Sequence, residues 1–583
     1  MSVPRKLAAV VSTLCVAGAT LVACANNERD AVETEATQTQ ENGLFADAKA
    51  RNTSRTVDER FPSHPEVLID ESYSGVSTSR MFLEKSETAI VTGPTMNEQL
   101  RGASLSVASY APMFRMTPEN HESILEELAR LEAHTVLAVG DADLTGLNPE
   151  TTIITDDFTD RAVEELIAMK LDKKQVTEPQ DVAAAVASLG PESLAQLVPD
   201  FEPIPEHLVK PEAPVTMVDN KPTTAKRTPL HAFPIQSARD GGMAPVVLAW
   251  PGTSVAAIAN ARVYGADVHV LDYPDPRISK ESMELVAGLA DRPLIALGEA
   301  FGTGEFLAEE IRFGEQERPH LATGTPLVLP GQRMVALYGH QLTPVLGVMG
   351  EQSPEESVDR VNELVSQYQQ FSKEPVVPAF EIIATVASGG PGPDGNYSNE
   401  SEPEELVGYI DAITAAGGYA VLDLQPGRAS FLEQAKLYEG LLKRPNVGLA
   451  LDAEWNIGPD ELPMQRIGSA TAEEINVVSE WLAELVREEN LPQKLFVIHQ
   501  FQVAMLPDRE NIDTLHPELA FVLHADGHGY PEQKFDTWNV LRQNLGSRYF
   551  MAWKNFIDED IPTFTPEQTM VDVQPQPWFV SYQ

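Results

Sequence analysis

Two carboxyl residues stand two apart, Asp452 and Glu454, at the end of the apolar run LALDAEW (449–455). Side chains alternate along a strand, so the two point the same way. In that arrangement Asp452 holds and tunes the Glu454 carboxyl. A paired carboxyl with a raised pKa is a general acid that stays protonated near neutral pH. Trp455 beside the pair, and Trp553 further on, offer flat faces for stacking. Other apolar runs in the same region also end in chemistry-bearing residues. These are Tyr338 and His340, Glu381, Asp423 with Gln425 and Arg428, and His499 with Gln500. His524 with Asp526 and His528, then Trp553, Lys554 and Asn555, complete the set.

Glu454, Asp452 and Asp526 are the candidate catalytic residues. Tyr338, His340, Glu381, Asp423, Gln425, Trp455, His499, Gln500, His524, Trp553, Lys554 and Asn555 are the candidate substrate contacts. A rival reading is metal-dependent hydrolysis, since His340, His499, His524, Asp526 and His528 suit a divalent ion. A His-x-His pair on the first strand is absent, because Tyr338-Gly339-His340 stands there. The expected set therefore includes no metal and no cofactor. No G-x-S-x-G elbow, no P-loop and no dinucleotide fingerprint with its distal acid occurs.

The elements that must position these residues read as a β/α barrel over 331–583. Apolar runs at 334–338, 376–383, 419–424, 447–451, 495–498, 519–523, 549–552 and 578–581 alternate with helical patterns. Eight strands in about 250 residues is the usual size for this fold, and its working residues sit at strand C-terminal ends. The sequence stops at Gln583, so the expected barrel lacks its last helix. The α/β units before it are expected to cover that side, because an open side would expose apolar surface. The run LALDAEW is similar to the fourth-strand D-x-E of chitinase-like glycosidases, which implies an acid role for Glu454. Two departures stand out: Ala450 where that motif has a further aspartate, and Lys554-Asn555 where many retaining enzymes place a nucleophile.

Before the barrel, two stretches alternate strand and helix patterns, at 61–173 and 229–330, separated by a linker at 174–228. That linker reads as a helical insert (181–197) and a Pro-rich run (199–229). DESYSGVSTSRMFLEKSETAIVT, HESILEELARLEAHTVLAVGDADLTG and APVVLAWPGTSVAAIANARVYGADVHVLDYPD resemble cell wall-binding repeats of type 2. The resemblance implies a pair of βαβ-type units and a wall polymer as partner. Family copies carry a glycine pair after the last strand, where this chain has Gly140-Asp141 and Gly298-Glu299.

The first residues read as an export signal. Arg5 and Lys6 precede an apolar stretch at 7–22 that is too short for a stable span. It ends in Leu21-Val22-Ala23-Cys24, which resembles the lipobox of bacterial lipoproteins. That resemblance implies removal of residues 1–23 and lipid on Cys24, hence attachment to the outer face of a cell membrane. Residues 24–60 read as a disordered acidic tether. Cys15 leaves with the signal, so no internal disulfide belongs to the mature fold. The formal net charge of −45 argues against nucleic acid as a partner. The expected class is α/β throughout: two βαβ-type units, then a TIM-like barrel. The expected partners are a lipid bilayer and a cell-wall polysaccharide or peptidoglycan. The barrel is expected to bind and to hydrolyse that glycan, with a non-catalytic wall-binding scaffold as the alternative.

Overall fold

The computed structural model describes residues 44–201, 227–228, 232–239, 241–322 and 324–583. The signal segment, Cys24 and residues 24–43 of the expected tether lie outside the described residues, as does most of the Pro-rich run. No helix among the described residues is long and apolar enough to cross a membrane.

From Arg333 onward, eight parallel strands close a barrel. They are β1 (Arg333–Gly339), β2 (Val376–Ala387), β3 (Tyr419–Leu424) and β4 (Val447–Asp452). Then come β5 (Lys494–Gln500), β6 (Leu519–Ala525), β7 (Phe550–Asn555) and β8 (Phe579–Tyr582). Each strand pairs with its sequence neighbour, and β1 pairs with both β2 and β8, so the ring is complete. Both faces of these strands are buried, which is why they read as continuous apolar runs rather than alternating ones. The outward set, including Leu337, Phe380, Leu422, Leu449, Phe496 and Phe521, lies in the core shared with the surrounding helices. The inward set fills the barrel with the small and branched residues Ala336, Ala379, Val421, Ala450, Val497, Val522 and Ala552, together with Phe579. Leu321, Val328 and Leu329 join this interior from the segment before β1. The Gln493 side-chain carbonyl, next to the start of β5, accepts the Val328 and Leu329 N–H groups and holds that segment across the N-terminal end.

The outer side of β8 is covered differently from the sequence expectation. Val580 and Tyr582 face the outer core. The hydroxyls of Tyr582 and Tyr368 lie 2.8 Å apart. Tyr368 ends the helix Pro354–Tyr368, which touches the helix Pro566–Val571. The barrel's own helices thus cover the outer side of β8. The α/β part instead sits against residues that precede the strands, at the N-terminal end of the barrel. Tyr273 donates to Glu374 (2.5 Å), which also accepts from Arg333. Arg277 donates to the Pro517 carbonyl (2.6 Å), and Arg548 to the Ala300 carbonyl (2.9 Å).

Among the described residues the α/β part holds two larger parallel sheets and a two-stranded one. One runs in the order Met113–Arg115, Thr88–Thr92, Thr135–Val139, Thr152–Thr155, Arg227–Thr228. The other runs Pro65–Leu68, Leu294–Leu297, Val246–Ala249, Val268–Val270. The strand Pro65–Leu68 lies at the start of the first stretch (61–173) yet pairs with Leu294–Leu297 of the second. The two stretches are therefore interlocked rather than consecutive. One hydrophobic core spans both. Asn260, wholly buried in the helix Val255–Tyr264, exchanges hydrogen bonds with the Met113 backbone and donates to the Gly75 carbonyl.

Two expected segments differ. Part of the expected tether is a helix, Ala46–Thr53, whose Asn52 donates to the Glu284, Leu285 and Ala287 carbonyls. Phe45 and Ala48 give this stretch the apolar contacts that the acidic residues before it lack. The expected helical insert at 181–197 is a short helix, Val182–Ala187, flanked by paired strands Lys173–Val176 and Gln196–Pro199. Strands of four residues are too short to display a period, and the alanine-rich centre dominated the pattern.

A buried ionic joint ties the α/β part to the barrel. Arg277 pairs with Asp275 (2.7 Å) and Glu310 (3.3 Å), and Arg548 reaches Glu310 at 2.9 Å. Burial and the Asp275 charge push the Glu310 carboxyl up to about 8 against the pull of the arginines. Arg277→Ala should remove the cation that the buried Asp275 carboxylate and Glu310 share and cost about 3–5 kcal/mol. Denaturant titration would measure this, and a loss below about 1 kcal/mol would refute the joint's importance.

Candidate active site at the barrel mouth

A single geometric rule builds the site. Each inward residue of the apolar barrel interior is followed, two positions later, by another inward residue nearer the C-terminal end. From Ala336 this gives Tyr338; from Ala379, Glu381; from Val421, Asp423; from Ala450, Asp452. From Val497 it gives His499; from Val522, His524; from Ala552, Lys554; and from Phe579, Ser581. All eight strands thus contribute one polar side chain to one layer. Glu381, Asp423, His499, His524 and Ser581 are 0% exposed, and Tyr338, Asp452 and Lys554 are 3% or less.

Within the layer, His499 is central. Its Nε2 lies 2.7 Å from Glu381 Oε1, and its Nδ1 lies 2.7 Å from Asp526 Oδ2. With a carboxylate oxygen at each ring nitrogen, both nitrogens donate and the ring is an imidazolium. Burial opposes that charge, but Glu381 and Asp526 outweigh it and hold the His499 pKa well above its ordinary value. Lys554 Nζ stands 3.4 Å from Asp526 and 3.6 Å above the Tyr338 ring. Tyr338 donates its hydroxyl to Asp423 Oδ2 at 2.8 Å. Ser581 Oγ lies 3.1 Å from His524 Nε2, and the His499 and His524 rings are 4.6 Å apart.

The carboxyl groups divide into two kinds. Burial raises both Glu381 and Asp526, but the histidines outweigh it at Glu381, and Lys554 with His499 at Asp526, so both fall well below the carboxylate range. Asp423 and Asp452 go the other way. Burial raises both, reinforced by Glu381 at Asp423 and by Asp423 and Asp526 at Asp452.

Glu454 sits one step above this layer, in the turn Ala453–Trp455 that follows β4. Asp452 Oδ1 accepts the Glu454 backbone N–H at 3.1 Å. This orients the turn, but it is a contact to the backbone and not the expected one to the carboxyl. The Glu454 carboxyl is pushed up to about 7, first by burial and then by the Asp526 charge, against Lys554 and His499. Trp455 is half-buried in the same turn.

The same parity rule sorts the remaining candidates. Gln425 falls on the inward side, buried beside Tyr338 at 3.5 Å, and accepts the Ala387 N–H. Trp553 and Asn555 flank Lys554 on the outward side. Trp553 packs against Phe535, Trp538 and Phe564, and Asn555 donates to Tyr368 and Thr569. Neither reaches the mouth, which corrects their expected role as substrate contacts. Gln500 also faces outward and accepts from Arg509 at 2.7 Å. His340 is half-buried, its Nδ1 accepting the Leu342 N–H, and His528 is exposed with its ring near Phe556. Both stand outside the central cluster. Ser581 is not among the expected residues, because a serine carries little chemical signal, although its position two after Phe579 marks it as inward.

No protein-family model matches the chain, and none of the curated proteins matches it. Among solved structures, one described as "Complex structure of GH113 beta-1,4-mannanase" is similar at 11% identity, over 43% of this chain and 86% of that chain. Its TM-score is 0.23, a degree of likeness that carries no inference about chemistry.

Proposed function

We propose that the barrel mouth binds and hydrolyses a cell-envelope glycan, with Glu454 as general acid. The observation that carries this reading is the place of Glu454. It is a carboxyl in the turn above a floor of buried charges, acted on by the charge of Asp526, which His499 and Lys554 hold in place. A carboxyl kept protonated near neutrality next to a fixed carboxylate is the pairing that glycosidic bond cleavage requires. Asp526 is the partner that would activate water or stabilise developing positive charge. Trp455 would present its ring to a sugar face.

We further propose, from the lipobox-like Leu21-Val22-Ala23-Cys24, that the protein is anchored by lipid on Cys24 at the outer face of a membrane, close to wall polymers. The α/β units would then face the wall as well. Cys24→Ser should abolish incorporation of labelled fatty acid and release the chain or leave it uncleaved. Labelling that persists in this variant would refute the anchor.

The catalytic reading is tested on solubilised wall oligosaccharides, with products followed by mass spectrometry. Glu454→Gln should lower turnover by about 10²–10⁴ with binding little changed, because the amide keeps the shape but has no acidic proton. Burial first, and then the charges of Asp526, Lys554 and His499, set the Glu454 pKa. A general acid with a pKa of about 7 is protonated below that value. The rate should therefore fall tenfold per pH unit above about 7, and this limb should vanish in Glu454→Gln. Retention on purified wall without product, weakened by Trp455→Ala, would replace hydrolysis with binding alone.

A further inference from the structure

We infer that the polar layer binds one divalent transition-metal ion through Glu381, Asp423, His499 and His524. This does not depend on the glycan reading. The donor atoms of Glu381, His499 and His524 all lie within 4.8 Å of one another and are wholly buried. Asp423 Oδ1 is 3.9 Å from His499 Nε2, and Glu381 Oε1 is 3.8 Å from His524 Nδ1. Ligands at about 2.0–2.2 Å from a common ion span distances of this order.

The second observation is independent of that spacing. Glu381 Oε2, Asp423 Oδ1 and His524 Nδ1 are buried and have no hydrogen-bond partner. Buried polar atoms are nearly always satisfied, so three unsatisfied ones from three strands in one cluster call for a missing partner. Lys554 does not supply it, because its ammonium is engaged at Asp526 and over the Tyr338 ring.

The atoms behind the donors fit the same reading. Metal-bound imidazoles hold their other nitrogen on a carboxylate or another polar group. His499 presents Nε2 to the centre with Nδ1 on Asp526, and His524 presents Nδ1 with Nε2 on Ser581. Tyr338 likewise steadies Asp423 through Oδ2, leaving Oδ1 free. Two imidazole nitrogens and two carboxylate oxygens suit zinc, cobalt, iron or manganese rather than calcium or magnesium, which favour all-oxygen sites. On binding, the ion takes the place of the His499 Nε2 proton, which leaves to solvent.

The test uses the full chain without a histidine tag, stripped by chelator and titrated with Zn²⁺ and with Co²⁺ in a calorimeter. One ion per chain is expected, with affinity at least 100-fold lower in His524→Gln and in Glu381→Gln. Ser581→Ala should lose about 10–100-fold, the usual effect of removing a group that orients a ligand. The Co²⁺ absorption spectrum of the unaltered chain gives an answer even where a variant does not fold. Intense visible bands of a nitrogen-containing, low-coordinate site support the inference. Weak all-oxygen bands, binding unaffected by the three substitutions, or no binding would overturn it, whether or not the glycan reading stands. Proton occupancy of the layer alone would then account for its charge.

Discussion

Closure of the strand ring through the β1–β2 pairing governs the rest of the molecule. Once the ring is closed, alternate side chains have no choice but to point inward, and the interior must be filled from eight directions. Small and branched residues fill the lower part. At the C-terminal end the same inward positions carry Tyr338, Glu381, Asp423, Asp452, His499, His524, Lys554 and Ser581, so the site is a continuation of the barrel's packing.

A layer of charges without solvent is costly unless the charges answer one another. Here His499 bridges Glu381 and Asp526, and Lys554 adds a second positive charge at Asp526. Asp452, raised well above the carboxylate range by burial, need not ionise, whereas Asp423 is raised only to about 6. The layer is therefore partly balanced by pairing and partly by protons. The atoms left unpaired are those that face one another across its centre. A floor of this kind also acts on what lies above it: the Asp526 charge helps keep the Glu454 carboxyl protonated near neutrality.

The α/β part acts on this site only at a distance. It meets residues such as Glu374, Pro517 and Arg548, all of which precede barrel strands and so lie at the end opposite the C-terminal mouth. The buried set Asp275, Arg277, Glu310 and Arg548 fixes that docking. The Pro65–Leu68 strand, seated in the second sheet, ties the beginning of the described chain into the same body.

Local pattern was enough to show the eight strands, because each is an apolar run bounded by polar turns, and their order implied a barrel with its chemistry at the strand ends. Glu381, Asp423, His499 and His524 were visible on that basis. Strict alternation, applied to Lys554, would also have sent Trp553 and Asn555 outward and marked Ser581 as inward. Other features needed the tertiary structure. That His499 stands between Glu381 and Asp526 depends on β2, β5 and β6 meeting across the barrel, contacts between residues up to 118 apart in the chain. The exchange of Pro65–Leu68 into the second sheet, the docking at the barrel's N-terminal end, and the sealing of β8 by Tyr368 are likewise pairings between distant segments. Residue type and periodicity determine which face a side chain takes, but only the closed fold decides which face it meets.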